Sequence, residues 1–270
     1  ARQWLATRLA QVPDDDTVTS PGGDPYALAL GEGAPNGGRL LYVGSIQDGV
    51  FSVLTLDDTL TPKVNSAVVL ASGLHSIVEG PVVDGRRRVY VSNRYSPLIH
   101  VVDVDCSEAG QACELVVQSA IGISQVTSSG DYYRGLAISK DKRTLYAAHR
   151  SPASLAVFDV AEDGTVTERG LLALQGAPAN VALLSREPGQ SDLVYITDYS
   201  GDSLYCVDPE TMNVVDHIYV GDGPYGIAIL KDVTRTLQRA YVTNFEEDSL
   251  SVVDLDPDSP TWHQEIARIK

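Results

Sequence analysis

Five short stretches of this chain carry the same succession of apolar and polar positions. They are LYVGSIQDGVFSVLT from Leu41, VYVSNRYSPLIHVVD from Val89, LYAAHRSPASLAVFD from Leu145, VYITDYSGDSLYCVD from Val194 and AYVTNFEEDSLSVVD from Ala240. In each, two β-branched and aromatic runs flank a polar centre, which is the signature of an antiparallel hairpin. The tyrosines Tyr42, Tyr90, Tyr146, Tyr195 and Tyr241 stand thirteen residues ahead of Thr55, Asp103, Asp159, Asp208 and Asp254. A hairpin buried on both faces requires such a fixed length, because a slip of one residue turns every following side chain to the wrong side.

Nearly continuous apolar runs precede the hairpins: PYALAL from Pro25, VEGPVV from Val78, YRGLAI from Tyr133, PANVAL from Pro178 and PYGIAI from Pro224. They read as inner strands lining a central channel. Outer strands follow the hairpins, as SAVVLA from Ser66, ELVVQSA from Glu114, VTERGLLAL from Val166, NVVDHIYV from Asn213 and HQEIARI from His263. A sixth outer strand, WLATRLAQV, stands near the N-terminus ahead of a polar loop.

Successive motif tyrosines are 46 to 56 residues apart, and a period of that size holding four strands predicts an all-β chain, a β-propeller of four-stranded antiparallel blades. We expect a single domain over 1–270, with blades at about 24–72, 77–120, 132–174, 177–220 and 223–270, and a surplus strand and loop at 1–23. Five repeat units fit a five-bladed ring or part of a six- to eight-bladed one. The chain opens on Ala1 without a basic-then-apolar leader, so the expectation is a processed or trimmed chain with any export signal or lipid anchor upstream.

The sequence YVTN occurs verbatim at Tyr241 to Asn244, followed after FEED by SLSVVDLD. With the four related hairpins, it resembles the YVTN-type β-propeller family of exported bacterial and archaeal proteins. That resemblance implies the fold and an extracytoplasmic setting. It leaves activity open, since relatives of this architecture include surface proteins, lactonases and dehydrogenase subunits.

Composition narrows the partners. The chain has 20 basic and 36 acidic residues and a formal net charge of −16, which disfavours nucleic acid, a ligand gripped through its phosphates by Lys and Arg. No run of eighteen apolar residues suggests a membrane span. Of the three cysteines, Cys106 and Cys113 bracket the short loop SEAGQA, a spacing that predicts a disulfide and an oxidising compartment. Cys206, inside the apolar run LYCVD, reads as a buried free thiol. Zinc spacing, a nucleophile elbow, a phosphate-cradling glycine loop and a haem-attachment motif are all lacking, so no cofactor and no metal is expected.

Strand direction brings the loop before each inner strand and the loop inside each hairpin to one rim. Two sets of positions recur there. Three residues after each motif tyrosine stand Ser45, Asn93, His149, Asp198 and Asn244; second in each inner strand stand Tyr26, Glu79, Arg134, Ala179 and Tyr225. Ser and Asn at such places, as Ser45, Asn93 and Asn244, serve loop backbone, whereas His149 and Asp198 depart from that pattern, as do Glu79 and Arg134 in the second set. Glu79, Arg134 and His149 combine a carboxylate, a fixed cation and an imidazole, a set that suits a small polar ligand or acid–base chemistry, or else an interblade ion pair with His149 capping a loop. The candidate ligand-binding residues are Tyr26, Glu79, Arg134, His149, Asp198, Tyr225 and Asn244, with Tyr95, Tyr132, Tyr199 and Phe245 as aromatic walls. Oxygen ligands for calcium are conceivable among Glu246, Glu247, Asp248, Asp254, Asp256 and Asp258, but without the spacing of a calcium loop these read as solvated turns.

The functional expectation is an exported binding or scaffold module, periplasmic, outer-membrane-anchored or extracellular. Its partner would be a protein, a glycan or a small molecule, and a second chain could complete the propeller. The alternatives are a lactonase-like hydrolase using the polar set, or a subunit of a larger redox or surface assembly.

Overall fold

The computed structural model describes residues 22–31, 39–56, 59–107, 111–125, 130–186, 190–232 and 237–270. The surplus N-terminal strand lies outside these residues. The described chain is all β, with no helix, in five four-stranded antiparallel sheets, each in up-and-down order. These are propeller blades.

The first blade comprises β1 (Pro25–Gly31), β2 (Arg39–Ser45), β3 (Val50–Leu56) and β4 (Pro62–Val69). The second comprises β5 (Leu74–Val83), β6 (Arg86–Asn93), β7 (Ile99–Asp105) and β8 (Glu114–Val117). In the third are β9 (Tyr133–Ile138), β10 (Thr144–Arg150), β11 (Ala153–Val160) and β12 (Val166–Ala173). The fourth holds β13 (Pro178–Leu184), β14 (Leu193–Asp198), β15 (Ser203–Asp208) and β16 (Asn213–Tyr219), and the fifth β17 (Pro224–Asp232), β18 (Leu237–Asn244), β19 (Ser249–Asp254) and β20 (Glu265–Ile269).

The constant hairpin length appears as one register. The motif tyrosines pair with Val53, Val101, Val157, Cys206 and Val252, each eleven residues on. Two residues further, the acidic end of the motif meets the strand beside it. Arg88 pairs with Asp103 and Arg239 with Asp254 across the hairpin, and each pair is an ion pair. Asp159 is reached instead by Arg169 Nε from β12, at 2.9 Å.

The chain forms two compact units, Ala1–Ser124 with Gly130–Tyr133 and Ala161–Val166, and Arg134–Val160 with Thr167–Lys270 and Gln125–Ser129. In the first, Tyr42, Phe51 and Val53 of the first blade pack on Leu74, Val89, Val91 and Val102 of the second. In the other, the third and fourth blades meet through Tyr146, Leu155, Val157, Val181 and Ile196, and the fourth and fifth through Tyr195, Leu204, Cys206, Val242 and Val253. Full burial of such side chains contributes about 1.5–3 kcal/mol each, so the blade interfaces carry the stability.

The predicted disulfide is present. Cys106 and Cys113 are joined at an S–S distance of 2.03 Å, closing the loop between β7 and β8, and Cys206 is a buried free thiol.

One predicted element shifts. β5 begins at Leu74, four residues before the apolar run from Val78, because Leu74 and not Val78 pairs with the rim residue Asn93. Pro25, Pro178 and Pro224 hold the corresponding places opposite Ser45, Asp198 and Asn244. The second position of β5 is therefore His75, and Glu79 is its sixth residue, opposite Val89.

Candidate functional site

Short turns build the rim. Gly176 and Gly223, which precede β13 and β17, have φ of 73° and 65°, a left-handed conformation that glycine adopts without strain. A Cβ on Gly176 would collide with the Asp198 carboxylate, because that carboxylate accepts the Ala177 amide at 2.7 Å. Asn244 donates to Ser249 Oγ at 2.9 Å and Ser251 Oγ at 2.8 Å, tying off the last hairpin. In the first unit, Asn93 accepts the Tyr95 and Ser96 amides at 2.8 and 3.0 Å and donates to Ser72 O at 2.9 Å, while Ser45 Oγ donates to Gly23 O.

His149 follows the same rule. It is fully buried, and its Nδ1–H donates to the Pro152 carbonyl at 2.9 Å, which places it as a brace of its own loop. All five positions three residues after a motif tyrosine are thus buried and hold rim backbone or hairpin hydroxyls.

The other candidates stand apart from one another in role. In the first unit, Tyr26 packs against His75, ring centroids 4.9 Å apart, and Glu79 accepts the Tyr42 hydroxyl at 2.7 Å and Arg87 Nη1 at 3.3 Å. Glu79 lies at the interface of two blades, deeper along the strand than the rim. In the second unit, Arg134 is buried, 2% exposed, on β9. Ala179 replaces an aromatic residue at the same place on β13 and is buried.

Tyr225 has company. The rings of Tyr199, Tyr225 and Phe245 form a mutual cluster, with centroids 6.1 Å apart between the tyrosines and 6.5 Å from each tyrosine to Phe245. Tyr199 and Phe245 each follow the buried brace of a hairpin, and Tyr225 is second in β17, so two hairpin loops and one strand supply the rings. The Arg150 guanidinium lies 5.6 Å from the Tyr199 ring centre, and its Nε donates to Pro178 O at 3.2 Å. Across the cluster the Tyr199 hydroxyl donates to Glu246 Oε1 at 2.8 Å, and that bond is the main reason its pKa is raised. Phe245 remains 69% exposed. An aromatic platform flanked by a cation and a carboxylate can stack a ring and bond polar groups at its edge.

Along the chain the members of this cluster are separate rim positions; their assembly comes from the packing of the fourth and fifth blades. The neighbouring acidic turn is occupied by basic groups, since Glu247 pairs with Arg268 at 3.0 Å and Lys270 at 2.9 Å. Among the described residues no group of three or more His, Cys, Asp or Glu side chains is arranged to hold a metal. Nor is any described helix long and apolar enough to cross a membrane.

Comparison with solved structures decides the fold. It is a β-propeller. A Bacteroides fragilis protein provisionally assigned as a 6-phosphogluconolactonase superposes with a TM-score of 0.72 at 16% identity, over 93% of this chain and 72% of its own. A periplasmic gluconolactonase of Pseudomonas aeruginosa gives 0.65 at 21%, over 91% and 70%. Hydrazine synthase of Kuenenia stuttgartiensis gives 0.59 at 20%, over 91% and 74%. At these identities the likeness concerns the fold. No protein-family model and no curated protein sequence matches the chain.

Proposed function

We propose that this chain is an extracytoplasmic binding module that holds a small hydroxylated ring, of the sugar or sugar-lactone class, on the rim of its second unit. The observation that carries the reading is the Tyr199–Tyr225–Phe245 cluster framed by Arg150 and Glu246. Ring faces stack on the exposed aromatic edge, ligand hydroxyls donate to the Glu246 carboxylate, and a ligand hydroxyl or carboxylate accepts from the guanidinium. Polar rim groups fixed by the braces Asp198 and Asn244 lower the ordering cost of binding. The disulfide Cys106–Cys113 supports an oxidising compartment, as does the periplasmic setting of one structural neighbour.

The test is calorimetric titration of the protein with gluconate, glucono-1,5-lactone and a panel of mono- and disaccharides. Saturable binding that is lost in Phe245→Ala and Arg150→Gln supports the reading; heats indistinguishable from dilution, or binding untouched by both changes, overturns it.

A second reading is lactone hydrolysis, favoured by the fold likeness to two proteins of lactonase type. Against it, the imidazole of His149 is buried and engaged with Pro152, and Glu79 is engaged with Tyr42 and Arg87. Acid release from glucono-1,5-lactone above the spontaneous rate, followed by pH-stat, separates hydrolysis from binding alone.

A further inference from the structure

The rim of the first unit carries a cation that the fold leaves without a partner. Arg94 follows the buried brace Asn93 in the hairpin loop between β6 and β7, the place that Tyr199 and Phe245 take in the fourth and fifth blades. Its side chain is half-buried, and its Nε is enclosed without a hydrogen-bond partner among the described residues. Nor does any carboxylate among them form an ion pair with this guanidinium. Arg86, Arg88 and Arg239, in contrast, each hold a carboxylate. What Arg94 does meet is the face of Tyr95, with the guanidinium carbon 5.0 Å from the ring centre. Enclosing part of an unpaired cation costs stability, so its presence calls for a reason beyond the contacts of the fold.

The backbone around it is fixed on every side. The Arg94 amide donates to Gly73 O at 2.8 Å, and the Arg94 carbonyl accepts the Tyr132 amide at 3.0 Å. The next two amides, of Tyr95 and Ser96, are held by Asn93 Oδ1 at 2.8 and 3.0 Å. Gly73, at φ of 101°, lets the Tyr95 ring lie against the loop before β5, since a Cβ there would stand 2.7 Å from Tyr95 Cδ2. Tyr95 is nevertheless 55% exposed, which leaves much of the ring open.

We propose that Arg94 and Tyr95 form a binding site for a small planar carboxylate, an aromatic or unsaturated acid, whose carboxylate accepts from the Arg94 Nη groups and whose flat part lies against Tyr95. The chemistry follows from the combination. A guanidinium matches the two oxygens of a carboxylate with parallel donors, and the adjoining exposed ring rewards a flat apolar group. A neutral ligand would leave the cation unpaired. The formal net charge of −16 repels anions at long range, so a carboxylate is held only where a local cation is free to take it. The site lies within the first unit and rests on nothing proposed for the rim of the second.

The probe is benzoate, titrated into the whole chain at low salt and followed by ligand-observed NMR, with neutral benzamide as comparator. Saturable binding of benzoate is expected, weakened about tenfold or more in Arg94→Gln, with benzamide weaker by a similar factor, as loss of a charge-assisted bond implies. Tyr95→Ala should weaken it about threefold. Arg150→Gln, on the rim of the second unit, should bind benzoate as the parent does. Arg94→Met should melt within about 2 °C of the parent, because the cation it removes has no partner in the fold; a much larger fall would give Arg94 a structural role and overturn the proposal. It is overturned equally if benzoate shows no saturable binding, if benzamide binds as well, or if Arg150→Gln and not Arg94→Gln removes the binding. The benzamide comparison needs no variant, so it decides the matter even where a substitution fails to fold.

Discussion

The hydroxyl of Tyr195, on the fourth blade, donates to Nε2 of His263, on the fifth, at 2.9 Å. Asp216 Oδ2 sits 2.8 Å from the opposite ring nitrogen, Nδ1. A carboxylate accepts only, so Nδ1 carries the proton and Nε2 accepts from the tyrosine, and the imidazole fits this place in its neutral form. Burial is the main influence on His263 and holds its pKa below 6.5, with Asp216 opposing.

The sign of the pH dependence follows. The unfolded chain binds a proton at this histidine more readily than the folded one, so its contribution to stability is complete above about pH 6.5 and falls as the pH drops below that value, by at most ~1.4 kcal/mol per pH unit. Half-buried His100 is shifted downward by its partial burial and adds in the same direction. His263 has φ of 57°, so asparagine, which accepts that conformation, is the suitable replacement. Urea unfolding at pH 7.5 and pH 5.5 should show a smaller loss of stability in His263→Asn than in the parent; equal losses would assign the acid sensitivity to other groups.

Two motif tyrosines provide a contrast. Tyr90 Oη is buried without a hydrogen-bond partner among the described residues, and burial pushes its pKa up to about 12. Tyr90→Phe should be neutral or stabilising by up to ~1 kcal/mol, whereas Tyr42→Phe removes a bond to the nearly buried Glu79 carboxylate and should cost ~1–3 kcal/mol. Chemical denaturation of both variants measures the difference. Equal effects would mean that the Tyr42–Glu79 bond contributes nothing net.

Arg88 is the cation of a nearly enclosed pair. It reaches Asp103 with Nε at 2.8 Å and with Nη2 at 2.9 Å, and Nη1 donates to Gly164 O at 2.6 Å. Arg88→Met leaves Asp103 buried with Gln118 and should destabilise by ~3 kcal/mol. The exposed pair Arg86–Glu114 should lose less than ~1 kcal/mol in Arg86→Ala. Thermal melts of the two variants side by side would refute this ranking if Arg86→Ala proved the more damaging.

Loss of the Cys106–Cys113 bridge, with a sequence separation of 7, should also be measurable. Replacing both cysteines by serine should cost ~2–3 kcal/mol through the freed unfolded chain and lower Tm by roughly 5–10 °C. Reduction should add about two daltons to the intact mass and expose only these two sites to new alkylation. An alkylatable Cys106 or Cys113 before reduction would contradict the bridge.

On the rim, stability and binding should separate. Phe245 is 69% exposed, so Phe245→Ala should alter stability by no more than ~0.5 kcal/mol while removing ring binding. A large drop in Tm would instead make Phe245 a packing residue.

Much of the architecture was legible in the chain itself. Thirteen residues from tyrosine to hairpin end determine the register, since each pleat fixes the face of its side chains, and repetition of that unit with apolar runs before and after it defines a four-stranded blade. The close cysteine spacing likewise determined the bridge. Glu79 was misplaced because β5 is apolar for longer than its neighbours, so its start was set by pairing with Asn93 and not by hydropathy.

Tertiary structure alone decided which distant groups meet. Asp216 and His263 are 47 residues apart, and Arg88 and Gly164 are 76 apart. No local periodicity encodes such partnerships, because they arise where separate loops and blades pack. The same packing gathered Tyr199 and Phe245 from two hairpin loops and Tyr225 from β17 into one platform. The sequence determined the repeating strand pattern through short-range side-chain alternation; the site required the long-range closure of one blade on the next.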